Sequence, residues 1–254
     1  MDRLVFTSLG SITNQTHIRA QITNNLANVS TVGFKQSFAV ASESVNVQGQ
    51  GFSTRTSLET IGQDVINLKP GVSNRTGRAM DVALQDSTVL GVQGTDGDVA
   101  FTRRGDLRVS PLGLIENSAG HLILGENGPI NVPPGQMVTI SADGSVFGTL
   151  PGSPDLPPVL LGTLMLRDAS EMPLTRRTDG LFEPVQQQFK GADFPTGPLP
   201  ASVFSGSLEG SNVNPIEAMI ELMDFSRSYE SQIKMIKEMK GIDENGASMM
   251  RLPA

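Results

Sequence analysis

Ser211-Asn212-Val213-Asn214-Pro215 opens the stretch on which the fold turns. Asn214 predicts an N-cap, because its side-chain oxygen can accept a free backbone N–H of the first helical turn. Pro215 suits the first helical position, where its missing N–H costs nothing. Glu217 stands three residues after the cap, as in a capping box. No Gly or Pro follows until Gly241, so the spacing predicts a helix of about 26 residues, roughly 39 Å long. Leu222, Tyr229 and Ile236 recur every seven residues, with Phe225 and Met239 on the same seam. Ile216, Met219, Met223 and Ile233 mark a second apolar line. Two lines predict burial on more than one side. Glu217 and Glu221 lie early and Lys234, Lys237 and Lys240 late, as the helix dipole favours. Taken alone, the pattern also suits a core helix of an ordinary domain.

The other end of the chain predicts a second helix, capped by Asp2 and running to about Asn28. Val5, Ile12 and Leu26 fall on one seven-residue line whose remaining member is Arg19. Ile22 and Val29 fall on a companion line, with Gln15 between the earlier turns. This is an a/d-like seam with polar interruptions. Thr13, Thr16, Thr23 and several Asn residues lower helix propensity, so the helix needs packing to persist. Asn28-Val29-Ser30-Thr31-Val32-Gly33-Phe34-Lys35 supplies a stop and a turn, and Phe34 offers an apolar anchor just past the bend.

Between the helices the period changes to two. Ala79–Leu84, Ser87–Val92 and Val99–Thr102 read as strands, with a hairpin turn at Thr95-Asp96-Gly97-Asp98. Leu112–Asn117 and His121–Gly125 flank the Ser118-Ala119-Gly120 turn, and Ser141–Phe147 is another hairpin. Short strands at this spacing predict a β-rich domain with antiparallel pairing. Residues 36–70 alternate small polar residues with single apolar ones. They predict irregular or short extended structure, with a flexible spot at Gln48-Gly49-Gln50-Gly51.

The chain has 254 residues, of which 38% are hydrophobic, enough for a real core. Its net charge of −7 argues against nucleic acid as a partner. It has no cysteine, hence no disulfide and no thiolate metal site. The first residues lack the basic start and apolar run of a cleaved signal peptide, and no apolar stretch reaches the length of a membrane span. Gly and Pro are frequent, 27 and 16 residues, and predict many turns.

The residues suggest no catalytic chemistry and no cofactor. His17 and His121 lie in different predicted elements. Asp96 and Asp98 flank Gly97, but the other positions of a calcium loop are missing. Ser231-Gln232-Ile233-Lys234 has an Ser-x-x-Lys spacing without its companion motifs. Met219, Met223, Met235 and Met239 suit helical packing more simply than an adaptable groove.

A resemblance joins the two ends. Asn24-Asn25-Leu26-Ala27-Asn28 through Lys35 resembles the N-terminal signature of bacterial flagellar rod and hook proteins. Gly206-Ser207-Leu208-Glu209-Gly210-Ser211-Asn212-Val213-Asn214-Pro215 resembles the family's C-terminal signature. Thr76–Leu84, Phe101-Thr102-Arg103-Arg104-Gly105-Asp106-Leu107, Gly113-Leu114-Ile115, Leu161–Leu164 and Thr178–Phe182 are similar to its β elements. One departure is Gln85-Asp86-Ser87-Thr88-Val89-Leu90, where relatives usually carry a Gly-rich turn and an aromatic residue.

The resemblance implies an α+β fold: N- and C-terminal helices pairing as a coiled coil, with a central β-rich antiparallel domain. It implies a helix at 1–35, a connector at 36–70, the β-rich domain at 71–205 and a second helix at 206–254. It implies a structural, non-enzymatic rod subunit that passes torque from motor to hook. Its partners would be copies of itself, other rod proteins and the flagellar type III export apparatus, with no nucleic acid and no membrane insertion. The place would be the basal body, in a rod crossing the periplasm. Length, the Met1-Asp2-Arg3-Leu4 start and Arg176–Phe182 favour a proximal over a distal rod member. The assembly residues expected are Ile12, Ile22, Asn24, Asn25, Leu26, Asn28, Gly33, Phe34, Ser211, Asn212, Asn214, Leu222, Phe225, Tyr229 and Ile236. The rival reading is a secreted β-rich cell-wall-binding protein, disfavoured by one Tyr and no Trp for stacking on sugars.

Overall fold

The computed structural model describes residues 2–38, 42–46, 56–60, 65–151 and 157–249. The chain forms two compact units. The helical unit comprises Met1–Ala27, Ala39–Gln63 and Asn214–Ala254, and the β-rich unit Asn28–Phe38 and Asp64–Val213.

In the helical unit, α1 spans Asp2–Ala27 and α2 spans Pro215–Met249. Strands Ser42–Asn46 and Thr56–Thr60 form an antiparallel hairpin in the same unit. The Gln48–Gly51 spot lies outside the described residues. Asn214 caps α2: its Oδ1 accepts the Ile216 N–H at 3.1 Å and its carbonyl accepts the Ala218 N–H at 3.0 Å. The helix does not stop at Gly241 but runs 35 residues, through Gly246 as well. A helical Gly costs about 1 kcal/mol relative to Ala, which weakens a helix without ending it. Neither glycine takes a positive φ, the backbone change that would have closed the helix there.

The coiled-coil pairing expected of the two helices is not formed. The helices are unequal, 26 and 35 residues long. Knobs-into-holes packing requires a continuous apolar seam on both partners. On α1 the half-buried and buried positions include Gln15, Gln21 and Asn25, while Arg19 is exposed. Gln15 Nε2 donates to Ser228 Oγ at 3.5 Å, a polar contact where a seam would place apolar knobs. On α2, Leu222, Phe225, Tyr229, Ile236 and Met239 are half-buried, but Ile216, Met219 and Met223 are exposed. The fold is thus a central antiparallel β-rich region with two dissimilar helices.

The β-rich unit is built on a seven-stranded antiparallel sheet. Its order is Ser37–Phe38, Val65–Ile66, Leu174–Arg176, Phe182–Pro184, Val99–Thr102, Thr88–Gln93, Leu166–Asp168. Leu90 stands opposite Thr102 and Leu166, and Phe101 opposite Phe182. Successive strand residues face opposite sides, and here both sides are apolar. Leu90, Val92 and Ala100 enter one core with Leu107, Ile115, Ile123, Val146 and Val203. Val89 and Phe101 enter a second with Ile66, Leu174, Phe182 and Phe194. The Phe101 and Phe194 rings meet at 4.6 Å between centroids, tilted by 60°. Burying each such side chain contributes about 1.5–3 kcal/mol.

Smaller pairs complete the unit. Met137–Ile140, Ser145–Thr149 and Val159–Thr163 make a three-stranded sheet. Val82–Leu84 pairs with Val203–Ser205, and Ser73–Arg75 with Ser207–Glu209. The last two pairs bring the C-terminal end of the unit back beside its N-terminal half.

Candidate functional site

Three widely separated runs converge inside the β-rich unit: Gly33-Phe34-Lys35, Thr102-Arg103-Arg104 and Glu209-Gly210-Ser211-Asn212. Glu209 is the centre. Its Oε1 accepts from Lys35 Nζ at 2.6 Å and from the Gly71 N–H at 2.9 Å, and its Oε2 from Arg103 Nε at 2.7 Å. Its carbonyl accepts the Gly33 N–H at 2.8 Å. Arg103 turns its other donors to main-chain carbonyls: Asp86 at 2.5 Å, Thr88 at 2.9 Å and Leu84 at 2.8 Å. Lys35 Nζ also reaches the Lys69 carbonyl at 2.8 Å.

Lys35 and Arg103 are fully buried and Glu209 is nearly so. Two cations share one carboxylate, so the cluster carries a net positive charge away from water. The carbonyl dipoles that Arg103 and Lys35 collect offset part of that cost. Burial and the neighbouring Arg103 lower the Lys35 pKa to about 8, against the opposing pull of the Glu209 carboxylate.

Local chemistry explains the route of the chain. Gly33 has φ +69, and a Cβ there would lie 2.4 Å from the Arg103 carbonyl oxygen. A Cβ at Gly105 would lie 1.8 Å from the Val82 carbonyl oxygen. Only glycine fits these two close approaches. Asp86, in the run that departs from the family pattern, takes a left-handed φ of 43, and Arg103 holds its carbonyl.

Asn212 ties the two ends of the unit together. Its Oδ1 accepts the Gln36 N–H at 2.7 Å, and its Nδ2 donates to the carbonyls of Asn67 at 2.8 Å and Lys69 at 3.2 Å. Its own N–H reaches the Phe34 carbonyl at 3.4 Å. The Arg176 guanidinium lies 4.1 Å from the centre of the Phe34 ring and donates to the Lys35 carbonyl. Ser211 Oγ accepts the Val213 N–H at 3.2 Å, and Thr31 Oγ1 donates to Asn28 Oδ1 at 3.1 Å. The chain therefore enters and leaves this unit through hydrogen-bonded neighbours.

Of the residues singled out in the sequence, Asn28, Gly33, Phe34, Ser211 and Asn212 belong to the β-rich unit, and all but Asn28 bond or pack at the convergence just described. Ile12, Ile22, Asn24, Asn25, Leu26, Asn214, Leu222, Phe225, Tyr229 and Ile236 belong to the helical unit. There Asn25 is buried, Asn24 and Asn214 are exposed, and Ile12, Ile22, Leu26, Leu222, Phe225, Tyr229 and Ile236 are half-buried. Phe225 and Tyr229 stack at 6.2 Å, nearly parallel. Lys35, Arg103 and Glu209 were not singled out. No local signal marks them, because a charged residue taken alone reads as solvent-facing.

Nothing in this arrangement activates a nucleophile or poises an acid–base pair. Among the described residues no cluster of three His, Asp or Glu could hold a metal ion, and no helix is long and apolar enough to cross a membrane.

Two family models match the chain. The flagellar hook protein FlgE/F/G D1 domain covers residues 84–148, and the flagellar basal body rod FlgEFG protein C-terminal covers 205–249. The flagellar basal-body rod protein FlgF of Salmonella typhimurium is 38% identical over 96% of this chain and 96% of its own. The FlgF protein of Escherichia coli K12 is 36% identical over 99% of this chain and 98% of its own. The flagellar basal-body rod protein FlgG of Buchnera aphidicola (subsp. Acyrthosiphon pisum) is 30% identical over 85% of this chain and 87% of its own.

Proposed function

This chain belongs to the flagellar basal-body rod protein family, and we propose that its exposed helical surface is what holds it in the proximal part of the rod. It is a structural subunit of the rod and not an enzyme, and it assembles with other flagellar rod and hook components. The higher identity to FlgF than to FlgG favours the proximal position.

One observation carries the assembly reading. Ile216, Met219, Ile220 and Met223 are 70%, 54%, 49% and 55% exposed along the first turns of α2. Contiguous apolar surface of this kind marks a protein contact. Neighbouring subunits cover this line. Ile12, Ile22, Leu26, Leu222, Phe225, Tyr229 and Ile236, all half-buried, add apolar surface to that contact. Asn24, Asn25, Asn28, Gly33, Phe34, Ser211, Asn212 and Asn214 set where each helix ends or begins. In this reading residues 1–35 and 206–254 are the assembly arms, 36–70 the connector and 71–205 the body, and the rod they build crosses the periplasm and passes torque toward the hook. The subunit reaches it through the flagellar type III export apparatus, and the low helix propensity of α1 suits threading before assembly.

The test is Met219→Asp with Met223→Asp. Both side chains are exposed, so the double variant folds, keeps the amide dispersion of the β-rich unit, and fails to enter rods or support swimming. Normal swimming would refute the reading.

A further inference from the structure

A cleft of about 140 Å³ opens in the β-rich unit beside the Gly33-Phe34 bend. Phe34, Leu181 and Phe182 give it apolar walls, and Arg104, Asn117 and His121 give it polar ones. Asn117 is 1% exposed. Its Oδ1 accepts the N–H groups of Ala119 and His121, both at 3.0 Å. Those two bonds fix which way the amide points, and they leave Nδ2 as a buried donor that meets no acceptor among the described residues. Buried donors are seldom left so.

Arg104 adds a second idle donor. It spends Nε and Nη2 on the Asp106 carboxylate at 2.8–3.0 Å, and Nη1 makes no hydrogen bond among the described residues. The acidic residue on the rim, Asp179, is ion-paired: its Oδ1 accepts the Leu181 N–H at 3.0 Å, and its Oδ2 lies 3.3 Å from Arg177 Nε without a hydrogen bond. The cleft thus offers two donors, one of them cationic, above apolar walls, with the Asp179 carboxylate neutralised by Arg177 at its rim.

We propose that this cleft is a socket for a carboxylate-tipped side chain, a Glu or Asp of a neighbouring rod subunit. The inference rests on the reading of the chain as a rod subunit. The methylene stem packs on Phe34, Leu181 and Phe182, and the carboxylate accepts from Asn117 Nδ2 and Arg104 Nη1. A neutral carbonyl would satisfy Asn117 alone, so Arg104 makes the socket prefer the charged group. Copies of this chain carry 26 acidic against 19 basic residues, which supplies the occupant.

The experiment titrates the full-length chain, amide resonances observed, with N-acetyl-glutamate-N-methylamide, its glutamine counterpart and acetate. The glutamate probe is expected to shift residues 31–34, 117–121 and 179–182 and to bind at least fivefold tighter than the glutamine probe or acetate. Arg104→Gln should erase the preference for glutamate over glutamine. Asn117→Asp keeps the oxygen that the turn needs and replaces the donor with a repelling oxygen, so binding should fall at least tenfold. Absence of localised shifts, with the donor served by solvent alone, would overturn the proposal. So would acetate binding as tightly as the glutamate probe, which makes the cleft a site for free anions. Either result, with tagged wild-type chain still present in isolated basal bodies, would sink the socket and leave the rod reading standing.

Discussion

Lys35 and Glu209 meet at 2.6 Å across 174 residues of sequence, with essentially no solvent on either side chain. Arg103 reaches the same carboxylate, so one acidic residue answers two cations. Glu209→Gln is expected to cost about 3–5 kcal/mol, because it strands two buried charges whose attraction had balanced their desolvation. The urea midpoint of the full-length chain measures it. A loss under about 1 kcal/mol, as for an exposed pair, would show the cluster to be reached by water.

The pH dependence runs against intuition for a salt bridge. The folded Lys35 pKa is about 8, below its ordinary 10.5. The unfolded chain therefore binds the proton more tightly, and folding stability rises as pH climbs from 8 toward 10.5. The gain attributable to this group is about 3 kcal/mol at most. It is complete above the unfolded pKa and lost as pH falls through the folded one. Comparing urea midpoints at neutral and alkaline pH in the parent and in Lys35→Met isolates it, since the variant should lack this part of the slope. An equal slope in both would assign it elsewhere.

Two glycines with similar φ should respond very differently to alanine. At Gly180, φ +82, a Cβ meets nothing within 4 Å, so only the left-handed conformation is penalised, by about 1–2 kcal/mol. At Gly33 a Cβ collides with the Arg103 and Arg104 backbone. Gly33→Ala should cost at least twice as much as Gly180→Ala in thermal or urea unfolding. Equal losses would mean that the bend can relax.

Gly241 and Gly246 lie inside α2 with open space around them. Replacing each with Ala should stabilise the last turns by about 1 kcal/mol, read as slower amide exchange from Lys240 to Met249. Unchanged exchange would place the weakness of that segment elsewhere than in the glycines.

Much of the fold was legible in the residues. Asn214-Pro215 marks the start of α2 because a cap is a local event, decided within four residues. The period-two runs mark the strands at Thr88–Gln93 and Val99–Thr102 for the same reason. The seven-residue lines misled: Leu222, Tyr229 and Ile236 do share a face, but a coiled coil also requires a partner with an unbroken seam, and Gln15 and Arg19 interrupt α1. Gly241 misled because a glycine ends a helix only when the backbone turns left-handed there. At the convergence, Gly33, Phe34 and Asn212 stood out by type and position. Lys35, Arg103 and Glu209 did not, since a charged residue in a single sequence reads as solvated until its partner, 106 or 174 positions away, is known.

Asn212 and Glu209 stitch the two strands at the base of the β-rich unit, as a drawstring closes the neck of a bag. Residues 72–208 are topologically an insert with adjoining ends, since Gly71 and Glu209 meet. Its far loops can lengthen, shrink or be exchanged for another module without rethreading the arms, so long as the stitch is kept. A lineage could remodel the β-rich unit of this subunit by editing that bag alone.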